Sequence, residues 1–248
     1  GYPLTFITMF SVSIVTSTLT SQIKEEEQIR IAAEQERLRA NLLRAVGHDL
    51  RTPLTAIITY IDILKKADAL YDQEGIRSFS AAAARQEASC YGEDPGGSGE
   101  KVPLKSRIQE IIEFCRRQGY HRIGLAFCSG LRNEARVVTE ILESHGLEVV
   151  SVLCKVGRRP KERLGLADSE KIRPGTFEPM CNPVAQALIM NEEKTQFNVV
   201  MGLCVGHDSL FLKYSDALCT VLAVKDRLLG HNPLAAIYTS SSYYKFLK

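Results

Sequence analysis

Two sets of residues in this 248-residue chain have types and spacings that could do chemistry. The first is the run His48-Asp49-Leu50-Arg51-Thr52-Pro53-Leu54. An imidazole followed by a carboxylate suits phosphate acceptance: Asp49 would hold the ring in the tautomer whose free nitrogen attacks phosphorus. Thr52, one turn later, would share the outward face. The second set is Cys128, Cys181, Cys204 and His207, where soft thiols and an imidazole suit zinc or iron better than magnesium or calcium. Cys204 and His207 stand as Cys-x-x-His, a pattern that is weak alone because cysteine is also a small buried residue.

The elements that would carry His48 are readable. Leu43, Val46, Leu50, Leu54, Ile57, Ile61 and Leu64 recur every three or four residues, one apolar stripe of the kind that pairs helices. His48 would project about 160° from the stripe centre, given about 100° per residue. Pro53 would bend the helix just beyond it. Residues 3–20 carry no charge and have the minimum length for a membrane span, though they are rich in Thr and Ser. Residues 21–44, dense in Glu, Gln, Arg and Ala, favour helix.

The box, the charged helix and the apolar segment before them resemble sensor histidine kinases, in particular the bacterial potassium and turgor sensors. The resemblance implies His48 as phosphoacceptor, with Asp49 and Thr52 beside it, a homodimer through helix 43–64, and a response regulator as partner. It also implies a membrane anchor over 1–20, a phosphoacceptor helix over 21–66 and a cytoplasmic C-terminal part. Without the anchor the chain would be cytoplasmic. Gly1 is not a start methionine, so the chain reads as part of a longer protein or as a fragment. No second strong dimerisation helix follows, although 76–90 could serve as a makeshift one. Neither G-x-G-x-x-G nor a Walker loop occurs, so no ATP site is found and a complete kinase in trans would have to supply the phosphate.

Residues 67–248 read differently. Net charge of the whole chain is +2 with dispersed basic residues, which argues against nucleic acid. Seven cysteines without CxxC or a secretory signal suggest reduced thiols. Gly92–Gly99 reads as a flexible loop. Beyond it, helices near 104–118, 133–144, 183–194, 208–214 and 233–238 alternate with strands near 122–127, 148–154, 198–203 and 219–224. The strands are apolar runs, expected to be buried on both faces. The fold class is α/β: a three-layer, mostly parallel sheet domain preceded by a long helical segment. In such a sheet Cys128, Cys154, Cys204, His207, Asp226 and His231 all follow strands at one edge, with Cys181 before a helix start. Gly130, Arg132 and Asn133 open a helix whose free N–H groups could hold an anion. Cys90, Cys115 and Cys219 read as packing residues, and His121 and His145 as solvated.

The blocks IGLAFCSGLRNEA, VVSVLCKVG, FEPMCNPVAQA, NVVMGLCVGHDSLFLKYSDA and VKDRLLGHNPLAAIYTS resemble an uncharacterised prokaryotic family labelled metal-binding. The resemblance implies zinc or iron at Cys128, Cys181, Cys204 and His207. Members of that family commonly begin with a short cysteine-rich segment, whose place the kinase-like segment takes here. If the metal belongs to that segment, these four remain as thiol-site residues. Two functions are therefore expected: an incomplete phosphorelay segment fused to a ligand- or metal-binding domain, or an α/β domain acting alone behind an accidental fusion.

Overall fold

The computed structural model describes residues 2–248, and of residues 5, 47–49, 51 and 52 the backbone alone. Two compact units divide the chain, Gly1–Ile76 and Arg77–Lys248.

The first unit is one helix, α1 (Tyr2–Tyr71), which runs through Pro53. Seventy residues at 1.5 Å each make a rod about 105 Å long. Its stripe is uncovered within the chain: Leu43 is 65 % exposed, Val46 46 % and Ile61 44 %. The side chains of His48, Asp49 and Thr52 lie outside the described residues. Near the N-terminus the hydroxyls turn inward. Thr8, Ser11, Thr16, Thr18 and Thr20 each donate to the carbonyl four residues back, at 2.6–3.1 Å. Bonds of that kind satisfy a hydroxyl without water. This is the one helix among the described residues long and apolar enough to cross a membrane, by length and composition.

The second unit takes in most of α2 (Glu74–Ser89), then β1 (Tyr91–Glu93), β2 (Lys101–Pro103) and α3 (Arg107–Gln118). Four βα repeats follow: β3 (Arg122–Phe127), α4 (Arg132–Ser144), β4 (Glu148–Leu153), α5 (Pro183–Glu192), β5 (Phe197–Met201), α6 (His207–Tyr214), β6 (Cys219–Ala223) and α7 (Leu234–Tyr238). Every helix and strand expected after residue 102 is present, with ends moved by up to three residues. Two expectations fail. Gly92–Gly99 is partly a hairpin, because Tyr91–Glu93 pairs antiparallel with Lys101–Pro103. Asp94 makes that turn by accepting the N–H groups of Gly96 and Ser98. Nor are all strands buried on both faces. The sheet order is β4-β3-β5-β6, wholly parallel, so β3 and β5 are central and buried while β4 and β6 are edges and partly exposed.

Alternation along the central strands feeds two apolar clusters. Ile123, Leu125 and Phe127 join Val199 and Met201 with side chains of α3 and α4. Ala126 and Val200 join Val152, Phe211 of α6, and Ala187 and Met190 of α5. Phe79 and Phe114 meet edge to face at 5.1 Å, so α2 shares the first cluster. The makeshift kinase helix of the sequence reading thus packs on the α/β core from Phe79 onward. Cys90 and Cys115 are buried, Cys219 packs beside the second cluster, and His121 and His145 are exposed, as expected.

Gly124 marks the tightest point of the sheet. A Cβ there would strike the carboxamide oxygen of Asn198 and the sulfur of Met190. Asn198 cannot yield readily: it accepts from Thr195 and donates to Ser215, both at 2.8 Å. Gly124→Ala is expected to destabilise the chain by about 1–3 kcal/mol through overpacking, measured as a lowered urea midpoint with unchanged slope.

Candidate functional site

With parallel strands in the order β4-β3-β5-β6, the direction in which successive strands are added reverses between β3 and β5, which opens a crevice at their carboxyl ends. A cavity of about 670 Å³ lies there. Cys128, Cys181, Cys204 and His207 all line it, with Gly130. So do Cys154 and His231, whose strands end at the same edge.

Each thiol is placed by its own piece of backbone. Cys128 follows β3, and its N–H donates to Met201 O at 3.2 Å, tying it to β5. Cys154 continues the β3–β4 ladder, with its N–H on Phe127 O at 2.8 Å. Cys181 is brought in by its neighbour: Asn182 N–H donates to Cys154 O at 2.7 Å. Asn182 also caps α5, its side chain accepting from Ala185 N–H at 3.1 Å with Pro183 at the first helical position. Cys204 follows a turn that needs glycine. Gly202 has φ +63°, and a Cβ there would strike Leu131. The Cys204 carbonyl then accepts the His207 and Asp208 N–H groups and starts α6.

The sulfur atoms form a chain rather than a ring. Cys154 lies between Cys181 and Cys128 along this edge, close enough to each to shift its acidity. The N–H groups of the expected anion turn are taken up by sulfur: Ser129 N–H donates to Cys154 Sγ at 3.3 Å, and Gly130 N–H to Cys128 Sγ at 3.5 Å. Arg132 and Asn133 are exposed and are not among the residues lining the cavity. The two ends of the thiol chain have opposite acidities. The hydrogen bond with Cys154 pushes Cys128 up to about 12, with burial adding to it. The hydrogen bond from Cys154 brings Cys181 down to about 6, helped by the Lys155 ammonium and opposed by burial. Cys181 is therefore the thiolate of the site.

Charge explains what else the cavity favours. Lys155, Lys161, Lys225 and Arg227 line it, and no Asp or Glu does. Lys161 is paired with Glu178, Lys155 donates to Pro179 O at 2.6 Å, and Arg227 donates to Cys204 Sγ at 2.9 Å. Burial and the nearby Lys155 hold His207 below the usual histidine range, so its ring is neutral. Its Nδ1 is buried without a hydrogen-bond partner among the described residues. Asp226 turns away to accept the N–H groups of Leu228 and Leu229. Leu164, Leu166, Ile172 and Met180 form the apolar wall. They belong to the connection between β4 and α5, which the nearly buried Lys171 pins through Glu162 at 2.7 Å and Asp168 at 2.6 Å.

Metal geometry is another matter. Among the described residues no three His, Cys, Asp or Glu side chains are grouped so as to hold a metal ion. Zinc or iron at Cys128, Cys181, Cys204 and His207 would need these side chains to move together.

Sequence reasoning left Cys154 out of its ligand set, although its position at a strand end was a usable signal. The lysines and Arg227 gave no signal beyond following strands closely. A second cavity of about 420 Å³, lined by Phe79, Arg107, Phe197 and Cys219 among others, lies by the amino ends of β5 and β6 and gathers none of the expected site residues.

Residues 56–222 match the family described as protein of unknown function, DUF1847. The chain belongs to that family. The chain is similar to the uncharacterized protein MJ0455 of Methanocaldococcus jannaschii, 43 % identical over 187 residues, 75 % of this chain and 89 % of that protein. All the cavity residues before Lys225 fall inside the DUF1847 match. The chain is also similar to the sensor protein KdpD of Escherichia coli, 43 % over 60 residues, and of Clostridium acetobutylicum, 45 % over 53 residues. Those matches cover 24 % and 17 % of this chain and 6 % of each sensor protein. No solved structure matches.

The pH dependence of Cys181 follows from its partners. Alkylation at Cys181 is expected to be near its plateau above about pH 7 and to fall about tenfold per unit below pH 6, as the thiolate is protonated. Cys154→Ala should move the midpoint upward, read by mass mapping of the alkylated peptide.

Proposed function

We propose that the DUF1847 unit is a three-layer α/β domain that binds a small anionic molecule at the carboxyl edge of its sheet and presents the Cys181 thiolate to it. The observation that carries this is the single cavity joining a chain of three neighbouring thiols to basic side chains, with no carboxylate on its walls. The apolar wall would exclude water, and Lys155, Lys225 and Arg227 would orient the anion. Neutral His207 would offer its free ring nitrogen as a hydrogen-bond partner.

Competition between two alkylating agents tests the reading on the full chain. The anionic iodoacetate should modify Cys181 about tenfold faster, relative to neutral iodoacetamide, than it modifies a free thiol. Lys155→Ala and Arg227→Ala should each reduce that preference. Labelling that favours Cys90 or Cys115, or a preference like that of a free thiol, would overturn it. Zinc or iron found in stoichiometric amount in the purified chain, and shielding Cys181 from both reagents, would replace it with the metal-binding reading at Cys128, Cys181, Cys204 and His207.

The front segment carries a second reading, motivated by its similarity to the two KdpD sensor proteins. In it, α1 anchors the chain in a membrane through its Thr/Ser-rich end and pairs with a second copy through residues 43–64. His48 accepts phosphate from a complete kinase in trans and passes it to a response regulator, with Asp49 and Thr52 assisting. The uncovered stripe of α1 supports the pairing, since a lone exposed helix of this kind gains little from propensity alone. Labelled ATP should leave the chain unmodified by itself and label it when a full-length sensor kinase of the same type is added. Substitution His48→Gln should abolish that label. Self-labelling would rule out the in-trans scheme.

A further inference from the structure

We propose that the anion is a sulfur compound, a thiosulfonate-type donor of which thiosulfate is the simplest, and that Cys181 and Cys154 together reduce its outer sulfur to hydrosulfide. The inference rests on the reading of Cys181 as the thiolate of the cavity, and adds the substrate class and a task for Cys154.

The reason is the position of Cys154. A lone thiolate among cations would serve for many electrophiles, phosphate esters included. Those reactions have no use for a second thiol beside the first. Here Cys154 and Cys181 line the same cavity, and the Cys154 sulfur is held in place by Ser129 N–H at 3.3 Å. Its main chain is fixed as well, through Phe127 O at 2.8 Å and Asn182 N–H at 2.7 Å. A thiol held beside a nucleophilic sulfur is placed to attack whatever that sulfur becomes. The opposite end of the substrate must carry charge, because Lys155, Lys225 and Arg227 line the cavity without a carboxylate among the lining residues. A sulfane sulfur bonded to a sulfonate meets both demands.

The chemistry balances. The Cys181 thiolate attacks the outer sulfur of thiosulfate. The S–S bond of the donor breaks, and sulfite leaves with the bonding pair, held by the cations. Cys181 now carries a persulfide, Cys–S–S⁻. The Cys154 thiol attacks Cys181 Sγ and gives its proton to the departing sulfur. A Cys154–Cys181 disulfide forms as hydrosulfide leaves. Two thiols are oxidised and one sulfane sulfur is reduced. An added low-molecular-weight thiol restores the pair by disulfide exchange. Cys128, on the far side of Cys154, keeps its proton throughout.

Thiosulfate itself is the probe. The reduced, desalted full chain is mixed with it, free sulfide is assayed, and the cysteine peptides are mapped by mass after blocking. The wild type should release sulfide in proportion to chain and end with Cys154 bonded to Cys181. Cys154→Ser should lose the sulfide and retain one extra sulfur atom on the Cys181 peptide. Cys181→Ser should show neither. Preference of Cys181 for iodoacetate with no sulfide or added sulfur from the wild type would overturn the sulfur chemistry and leave the thiolate reading standing. Loss of the iodoacetate preference as well would remove both. If Cys154→Ser fails to fold, the wild-type map decides: sulfide released without a Cys154–Cys181 disulfide would overturn the assignment of Cys154.

Discussion

The site depends on one buried amide. Gln186, on the first turns of α5, is fully buried, and its Nε2 donates to Val152 O at 2.6 Å and Phe127 O at 3.3 Å. Those carbonyls lie at the carboxyl ends of β4 and β3, two residues before Cys154 and one before Cys128. A side chain from the helix thus sets the spacing of the two strand ends from which two of the thiols emerge. Losing a buried partner of this sort costs about 1–3 kcal/mol, and the carbonyls left behind would seek others. Asn182, four residues earlier, caps the same helix and hangs Cys181 on the Cys154 carbonyl. One helix start therefore fixes three sulfur positions without a disulfide: all seven cysteines are free of such bonds.

That arrangement separates the thiols chemically. In water they would have similar acidities. The row running from Cys128 through Cys154 to Cys181 breaks the symmetry, since the Cys128 end resists losing its proton and the Cys181 end gives its proton up. Lys155 adds to the bias at Cys181 and also depresses His207, so one ammonium favours a thiolate and a neutral imidazole together. The backbone N–H groups of Ser129 and Gly130, free for an anion in an ordinary strand-to-helix turn, are engaged by sulfur.

The front of the chain follows other physics. α1 buries almost nothing within the chain, and its apolar residues are exposed from Leu4 to Leu70. The α/β unit, by contrast, carries two apolar clusters of its own. The DUF1847 match starts at residue 56, inside the helix that also carries the kinase-like box, so the two resemblances meet within a single secondary element.

The sequence alone determined the order of βα repeats, because apolar runs of strand length separated by capped amphipathic helices have few other solutions. It also put Cys128, Cys204 and His207 on one edge, since parallel strands joined by right-handed crossovers must end together. Asn182 and Pro183 were legible as a helix start from local chemistry. Only the tertiary structure decided the rest. Which strands are edges depends on strand order, so the partial exposure of β4 and β6 was not readable from their composition. The Tyr91–Glu93 and Lys101–Pro103 hairpin was hidden because three-residue strands carry too little pattern. The cations of the cavity lie on two separate connections, β4–α5 and β6–α7, and no local signal marks side chains that meet only after the chain has crossed the sheet. The role of Cys154 was equally hidden: its types of neighbour were visible, but the juxtaposition that sets one thiol against another exists only once the β3–α4 and β4–α5 connections are folded onto the same edge.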